Sequence, residues 1–376
     1  MSKDAIELLQ SLVQIPSVNP DNTPGTDQTG EQAMADFLQP WLEARGYTVS
    51  QEEVQPGRPN LIAKAPGDMS RPRVLLCPHS DTVGVGNMTI DPFSGELRED
   101  KIWGRGSSDT KGSMAAMLSG INANQETLAD LPIAVDFVAF MGEESSQHGS
   151  KDFAKKYASD YLFAIAGEPT LLDMVYVTKG SLWFTVETTG KAAHSSQPHL
   201  GENAIMNMAR SLDLLNRKLS NRLATYTHPI LQHSTLNIGT ITGGSRPNIV
   251  PDSCSAEVDI RFTPDLQAAG GPLQLVEDFI TEFNLPLVIT SSACNPPMEC
   301  PSEHQIISRI QAARPHSKLI GAPWFSDAAH LAAQGLPSIA FGPGSIDQAH
   351  TKDEFIKLDD YLEGVAFFTH FIRSLR

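Results

Sequence analysis

Residues 74–81 read Val74-Leu75-Leu76-Cys77-Pro78-His79-Ser80-Asp81, an apolar run that stops at a His-x-Asp triplet. Four apolar residues without polar alternation fit a strand covered on both faces. A side-chain period of two then puts His79 and Asp81 on the same side where that strand ends. One of the pair can bind a cation while the other accepts the second ring N–H and fixes the tautomer. Alone, such a triplet is more often a capping or solvated pair.

Working outward, Ile6, Leu9, Val13 and Ile15 form a helical stripe ended by Pro16, and a second helix spans residues 30–45. Strand-like runs follow at 47–53, 60–65, 133–140 and 162–166, with a small-residue helix at 111–122. Helices alternating with continuous apolar strands predict an α/β fold: a mixed sheet covered by helices on both faces. From Lys179 the rhythm changes. Strands at 182–188, 235–241, 256–262 and 287–290 enclose helices at 204–219 and 273–283. That order is β-α-β-β-α-β, the ferredoxin-like unit. The expected organisation is a catalytic domain in two parts, residues 1–178 and 291–376, with an α+β domain inserted at 179–290.

A length of 376 residues exceeds the ~100–200 of one ordinary domain. Twenty-eight basic against 44 acidic residues leave a formal charge of −16, which argues against nucleic acid or an anionic membrane as partner. No apolar stretch approaches the ~20 residues that span a bilayer, and Met1-Ser2-Lys3-Asp4-Ala5-Ile6-Glu7 lacks the start of a signal peptide. A cytoplasmic location is expected. Cys77, Cys254, Cys294 and Cys300 are widely spaced, so neither a zinc knuckle nor a disulfide framework is implied. There is no phosphate-binding loop, Gly-x-Ser-x-Gly elbow or His-Glu-x-x-His helix.

What remains is a scatter of acids and imidazoles at apparent strand ends. Asp109 lies in Gly104-Arg105-Gly106-Ser107-Ser108-Asp109-Thr110-Lys111-Gly112, before a helix, where a capping carboxylate is common. Glu143-Glu144 follows one strand and Glu168 another, while His350 follows Gly342-Pro343-Gly344. Each alone reads as structural. Together they sit at one edge of a sheet, where sites assemble in open α/β folds. Imidazoles and carboxylates without cysteine suit divalent metals, zinc first. A metal hydrolase follows from this chemistry.

The ordered set His79-Ser80-Asp81, Asp91-Pro92-Phe93, Gly104-Arg105-Gly106 with Asp109-Thr110-Lys111-Gly112, Gly142-Glu143-Glu144, Gly167-Glu168-Pro169-Thr170 and Ala349-His350 resembles the dizinc amidohydrolase and exopeptidase family. That family includes acetylornithine deacetylase, succinyl-diaminopimelate desuccinylase, aminoacylase and glutamate carboxypeptidase. The resemblance covers nearly the whole chain, including Gly243-Gly244-Ser245-Arg246-Pro247-Asn248 and Asp259-Ile260-Arg261. Val83-Gly84 departs from the Val-Pro of many members.

The resemblance implies two divalent ions per chain, zinc with cobalt or manganese as alternatives. Asp109 would bridge them, with His79 and Glu168 completing one site, Glu144 and His350 the other. It further implies a bridging hydroxide, Glu143 as general base, and Asp81 as the partner orienting His79. In the inserted domain it assigns His194 to the oxyanion, and Asn248 and Arg261 to the substrate. Gly342 and Gly344 offer backbone N–H groups to the same anion. The implied substrate is a small N-acylated amino acid, with short peptides for an exopeptidase as the alternative. A homodimer through the inserted domain is expected. The reading of another class is an inactive metal-binding dimerisation module.

Overall fold

Val74, Leu75, Leu76 and Cys77 are at most 1% exposed in the computed structural model, which describes residues 2–376. The strand Arg73–Pro78 pairs in parallel with Ala134–Ala139 on one side and Phe163–Gly167 on the other. Ser338–Ala340 continues the parallel set beyond Phe163–Gly167. Arg58–Lys64 and then Thr48–Gln55 extend the opposite side in antiparallel fashion, so the sheet is mixed.

Alternate side chains serve two cores. Val74, Leu76, Val135, Phe137, Phe163 and Ile165 pack into a core shared with the helices Ser2–Gln14, Lys111–Ala123 and Leu358–Arg373. On the other side Phe140 meets Phe153 of the helix His148–Tyr157, ring centroids 5.2 Å apart. The helix Ala328–Ala333 packs there against Ser338–Ala340 and Phe163–Gly167. Lys111–Ala123 is a helix of small residues because it runs tightly beneath another. A Cβ on Gly120 would fall 2.8 Å from the backbone of Phe368, so only glycine admits that approach.

The chain divides into two compact units. The first runs through Tyr176 and resumes with Glu299–Ile320 and Ser326–Arg376, and it contains the sheet just described. The second is Val177–Met298 with Gly321–Phe325. Its four antiparallel strands lie in the order Thr235–Gly243, Ser253–Phe262, Gly180–Thr189, Val288–Asn295. Leu182, Phe184, Val186, Ala256, Val258 and Ile260 alternate inward onto Met208, Leu212, Val276 and Phe279 of two helices. The opposite face carries Trp183, Glu187 and Glu257, which are exposed. This is the ferredoxin-like arrangement that the element order predicts.

Several boundaries differ from expectation. The last strand of the second unit extends to Asn295, and the unit to Met298 with a further short segment, instead of ending at 290. Ser291, Ser292 and Ala293 are small, exposed edge residues without an apolar rhythm, so no pattern marks them as a strand. The helix expected at 204–219 continues to Leu223 through a π-helical turn at Leu215–Leu219. The short strands Glu96–Arg98, Lys101–Trp103 and Phe355–Lys357 form a small sheet. Their three-residue length leaves no periodicity to read.

Candidate metal centre

Each of the four parallel strands ends beside a residue of interest. His79 follows Pro78 and bridges to Phe140, while Pro78 lies opposite Gly167. Glu143 and Glu144 therefore leave the sheet near His79, as does Glu168 directly after Gly167. The sheet-edge reading predicts this convergence.

Asp109 comes from the turn before Lys111–Ala123, where the Lys111 N–H donates to the Gly106 carbonyl at 2.8 Å. Its two oxygens face different imidazoles: Oδ1 lies 3.1 Å from His79 Nε2, and Oδ2 3.5 Å from His350 Nε2. His350 Nε2 also lies 3.0 Å from Glu144 Oε2. His350 adopts a left-handed backbone, φ +62°, in the turn after Ile346–Gln348. Donor atoms of His79, Asp109 and Glu144 all lie within 4.8 Å of one another. The side chains of His79, Asp109 and Glu144 are 1%, 9% and 4% exposed, and that of His350 is 56% exposed. One carboxylate thus spans two nitrogen donors, one of them buried and one open to solvent.

Electrostatics strain this cluster when it is taken as protein alone. Burial, then the neighbouring Asp109, raises the Glu144 pKa to about 7 against the pull of His350. Burial also holds Glu143 and Glu168 well above the usual carboxylate range, despite the opposing pull of His79. Asp327 is raised to about 7 by burial. Burial disfavours a charged His79, but hydrogen bonding to Asp109 and Asp81 outweighs it and raises its pKa. Buried carboxylates at this density hold protons unless cations replace them. The donor set fits divalent metal ions: two imidazoles and several carboxylates without a thiolate.

Asp81 is the expected neighbour of His79, but through a different atom. His79 Nδ1 lies 2.9 Å from the main-chain carbonyl of Asp81 and 3.5 Å from its Oδ1. The carboxylate also takes three other donors. Oδ1 accepts the Glu143 N–H at 3.0 Å, and Oδ2 accepts the Glu144 N–H at 3.1 Å and Asn19 Nδ2 at 2.7 Å. The Asp81 carbonyl lies against the imidazole of its own triplet, which a two-residue period does not anticipate.

Gly342 also departs from expectation. Its N–H donates to Thr170 Oγ1 at 3.2 Å, and a Cβ there would lie 2.1 Å from Ser113 Oγ. Packing, with the N–H already engaged, accounts for that glycine. Gly344 has φ +87°, and a Cβ would lie 2.6 Å from Ser108 Oγ.

His194, Asn248 and Arg261 belong to the second unit. His194 is exposed, pairs with Ile249 across a short bridge, and places Nδ1 2.8 Å from Ser196 Oγ. The next residue, Ser195, donates its N–H to the Asn248 carbonyl at 3.1 Å, so His194 and Asn248 share one corner. Arg261 projects from Ser253–Phe262 and pairs with Asp259 at 3.0 Å.

Three buried residues of the site are absent from the sequence reading: Asn19, Asp327 and Glu354. Asp327 accepts from Ser150 Oγ and precedes the helix Ala328–Ala333. Asn19 has no patterned neighbours. Glu354, four residues after His350 in a charged stretch, reads as a solvated acid.

A mixed sheet with metal-type donors gathered at the ends of its parallel strands, and a spare glutamate beside them, is the arrangement of a metal-dependent hydrolase. The chain belongs to the peptidase family M20/M25/M40, whose pattern it matches over residues 75–374. It is 33% identical to the acetylornithine deacetylase of Proteus mirabilis (strain HI4320), over 94% of this chain and 92% of that one. Its fold is similar to that of a tripeptidase from Staphylococcus aureus, with a TM-score of 0.78, 22% identity, and coverage of 100% and 98%. It is also similar to an M20 family metallo-carboxypeptidase from Sulfolobus solfataricus, with a TM-score of 0.79, 17% identity, and 99% of both chains covered. No helix among the described residues is long and apolar enough to cross a membrane.

Proposed function

We propose that this chain hydrolyses the amide bond of a small N-acyl amino acid, as a deacetylase of the acetylornithine type. The observation that carries the reading is the carboxylate of Asp109 facing His79 with one oxygen and His350 with the other. His79, Asp109 and Glu168 would hold one divalent ion, and Asp109, Glu144 and His350 a second, with zinc fitting the donors best and cobalt or manganese as alternatives. When bound, such ions polarise the scissile carbonyl and make water acidic near neutral pH.

Glu143 is the general base. It takes the proton of the attacking water and returns it to the amine nitrogen as the C–N bond breaks. Its main-chain N–H donates to Asp81 Oδ1 at 3.0 Å, which fixes the backbone that carries its carboxylate. His194, Asn248, Arg261 and Gly344 are the candidate contacts to the acyl oxygen and the substrate carboxylate. The arginine presents a planar fork that matches a carboxylate. The protein acts in the cytoplasm as a homodimer through its second unit. Exopeptidase action on short peptides is the second reading, supported by the fold shared with a tripeptidase and a carboxypeptidase.

A hydrolysis screen with N-acetyl and N-succinyl amino acids and dipeptides, with added Zn²⁺ or Co²⁺, tests this. N-acetylornithine is expected to turn over fastest. Dipeptides cleaved in preference would favour the exopeptidase reading, and metal loading without any amide cleavage would favour an inactive module.

A further inference from the structure

Glu354 is completely buried although its neighbours Lys352 and Asp353 are exposed. Its two oxygens take four donors between them. Oε2 accepts Arg105 Nη1 at 2.8 Å and the Gly106 N–H at 3.0 Å; Oε1 accepts the Ser108 N–H at 2.9 Å and the Asp109 N–H at 3.0 Å. Its own carbonyl accepts the Gly104 N–H at 3.0 Å. Arg105 and the Gly106, Ser108 and Asp109 amides of the glycine-rich loop are therefore pinned to this one side chain, and Gly104 to its main chain.

The same residue continues into Phe355–Lys357, which pairs with Lys101–Trp103, Phe355 opposite Trp103. On its other side Lys352 accepts the Thr89 N–H at 2.9 Å. The segment that follows His350 is thus anchored on either side of Glu354, and Glu354 joins it to the loop that carries Asp109. Asp109 and His350 come from segments more than two hundred residues apart in the chain, yet their carboxylate and imidazole meet at 3.5 Å. A carboxylate that accepts several N–H bonds orients the backbone that donates them.

We propose that Glu354 is a positioning residue that sets the Asp109 loop against the His350 segment before any metal arrives. It touches neither metal nor substrate; it fixes the spacing between two donors that would otherwise be set by two independent loops. The proposal rests on the metal-centre reading above, and its test separates the two.

Glu354→Gln keeps the shape of the side chain but has one acceptor oxygen for two pairs of donors, and its NH₂ group faces N–H groups. Titration with Co²⁺, followed by visible absorption, should show the affinity for at least one of two equivalents weakened by about 10–100-fold, with an altered spectrum. Asp136→Asn is the control. Asp136 is another fully buried carboxylate of the same unit, accepting from Arg73 Nη1 at 2.7 Å and the Ala65 N–H at 2.8 Å, so its loss should lower Tm without changing Co²⁺ affinity. Wild-type Co²⁺ affinity in Glu354→Gln, or an equal shift in Asp136→Asn, overturns the proposal. If Glu354→Gln does not fold, amide hydrogen exchange in the metal-free wild-type chain decides. The Gly106, Ser108 and Asp109 amides should exchange slowly; fast exchange that slows only on metal addition overturns it. A wild-type chain that binds no Co²⁺ would instead refute the metal centre itself.

Discussion

The main-chain N–H of Glu143 donates to Asp81 Oδ1 at 3.0 Å, so the residue beside the first metal donor also holds the proposed general base. Through Oδ2 the same carboxylate holds Glu144 at 3.1 Å. Adjacent glutamates can then aim at different targets, because their shared backbone is fixed by a third acid.

Asp81→Asn keeps one acceptor oxygen but turns an NH₂ group toward one of those N–H donors. A loss of about 10–100-fold in kcat/KM is expected, by analogy with other groups that orient metal ligands. Steady-state kinetics and metal analysis check it; an unchanged kcat/KM would remove Asp81 from the positioning of the pair.

Glu143→Ala and Glu144→Ala should behave differently. The first removes only proton transfer, so both metal equivalents remain while kcat falls by about 10²–10⁴-fold. Glu144 lies 3.0 Å from His350, and its removal should weaken a metal equivalent. Equal metal loss in both variants with an active Glu143→Ala enzyme would show the two roles to be misassigned.

Chelator dialysis should abolish amide hydrolysis, and two equivalents of Zn²⁺ or Co²⁺ per chain should restore it. Full restoration by a single equivalent would point to one catalytic ion, with Asp109 serving as a simple ligand.

The resemblance to dimeric members of the family predicts that, in the proposed homodimer, His194 acts on the partner's site. Glu143→Ala and His194→Ala chains are each expected to be inactive. With free exchange about half the dimers are mixed, and one of the two sites in each is intact if His194 acts in trans. About a quarter of wild-type activity should return. Confirmed exchange without recovery places His194 in cis or outside the reaction.

His330 gives a stability prediction. Burial above all, with Lys151 and Lys155 adding repulsion, lowers its pKa from 6.5 to about 3. As pH falls below about 6.5, the unfolded imidazole binds a proton that the folded one refuses. Stability is therefore present above that pH and lost progressively toward pH 3, by at most about 1.4 kcal/mol per unit. His330→Leu should flatten the urea-midpoint profile of the metal-stripped protein between pH 6.5 and 5. Parallel profiles for the two chains would show that His330 is not the group responsible.

The sequence by itself determined what depends on local patterning. Unbroken runs such as 74–77 and 162–166 declare parallel strands because both faces must be covered. The alternation Leu182, Phe184, Val186 declares a strand with one wet face. With no cysteine among them, the imidazole and acids directly after such runs made His79, Glu144 and Glu168 legible as neighbouring candidate metal donors. Asp109 and His350 stood out beside glycine-rich stretches, which no periodicity marks, and the family motifs supplied their roles. Only the tertiary structure decided how those residues meet. Asp81 turns its carbonyl, rather than its carboxylate, closest to His79; Gly342 donates its N–H to the Thr170 hydroxyl of another loop; and Glu354, an acid in a charged stretch, is buried under four donors. The physical reason is that a hydrogen bond is set by direction and distance across the folded chain, and a residue's type and its place in a local pattern fix neither.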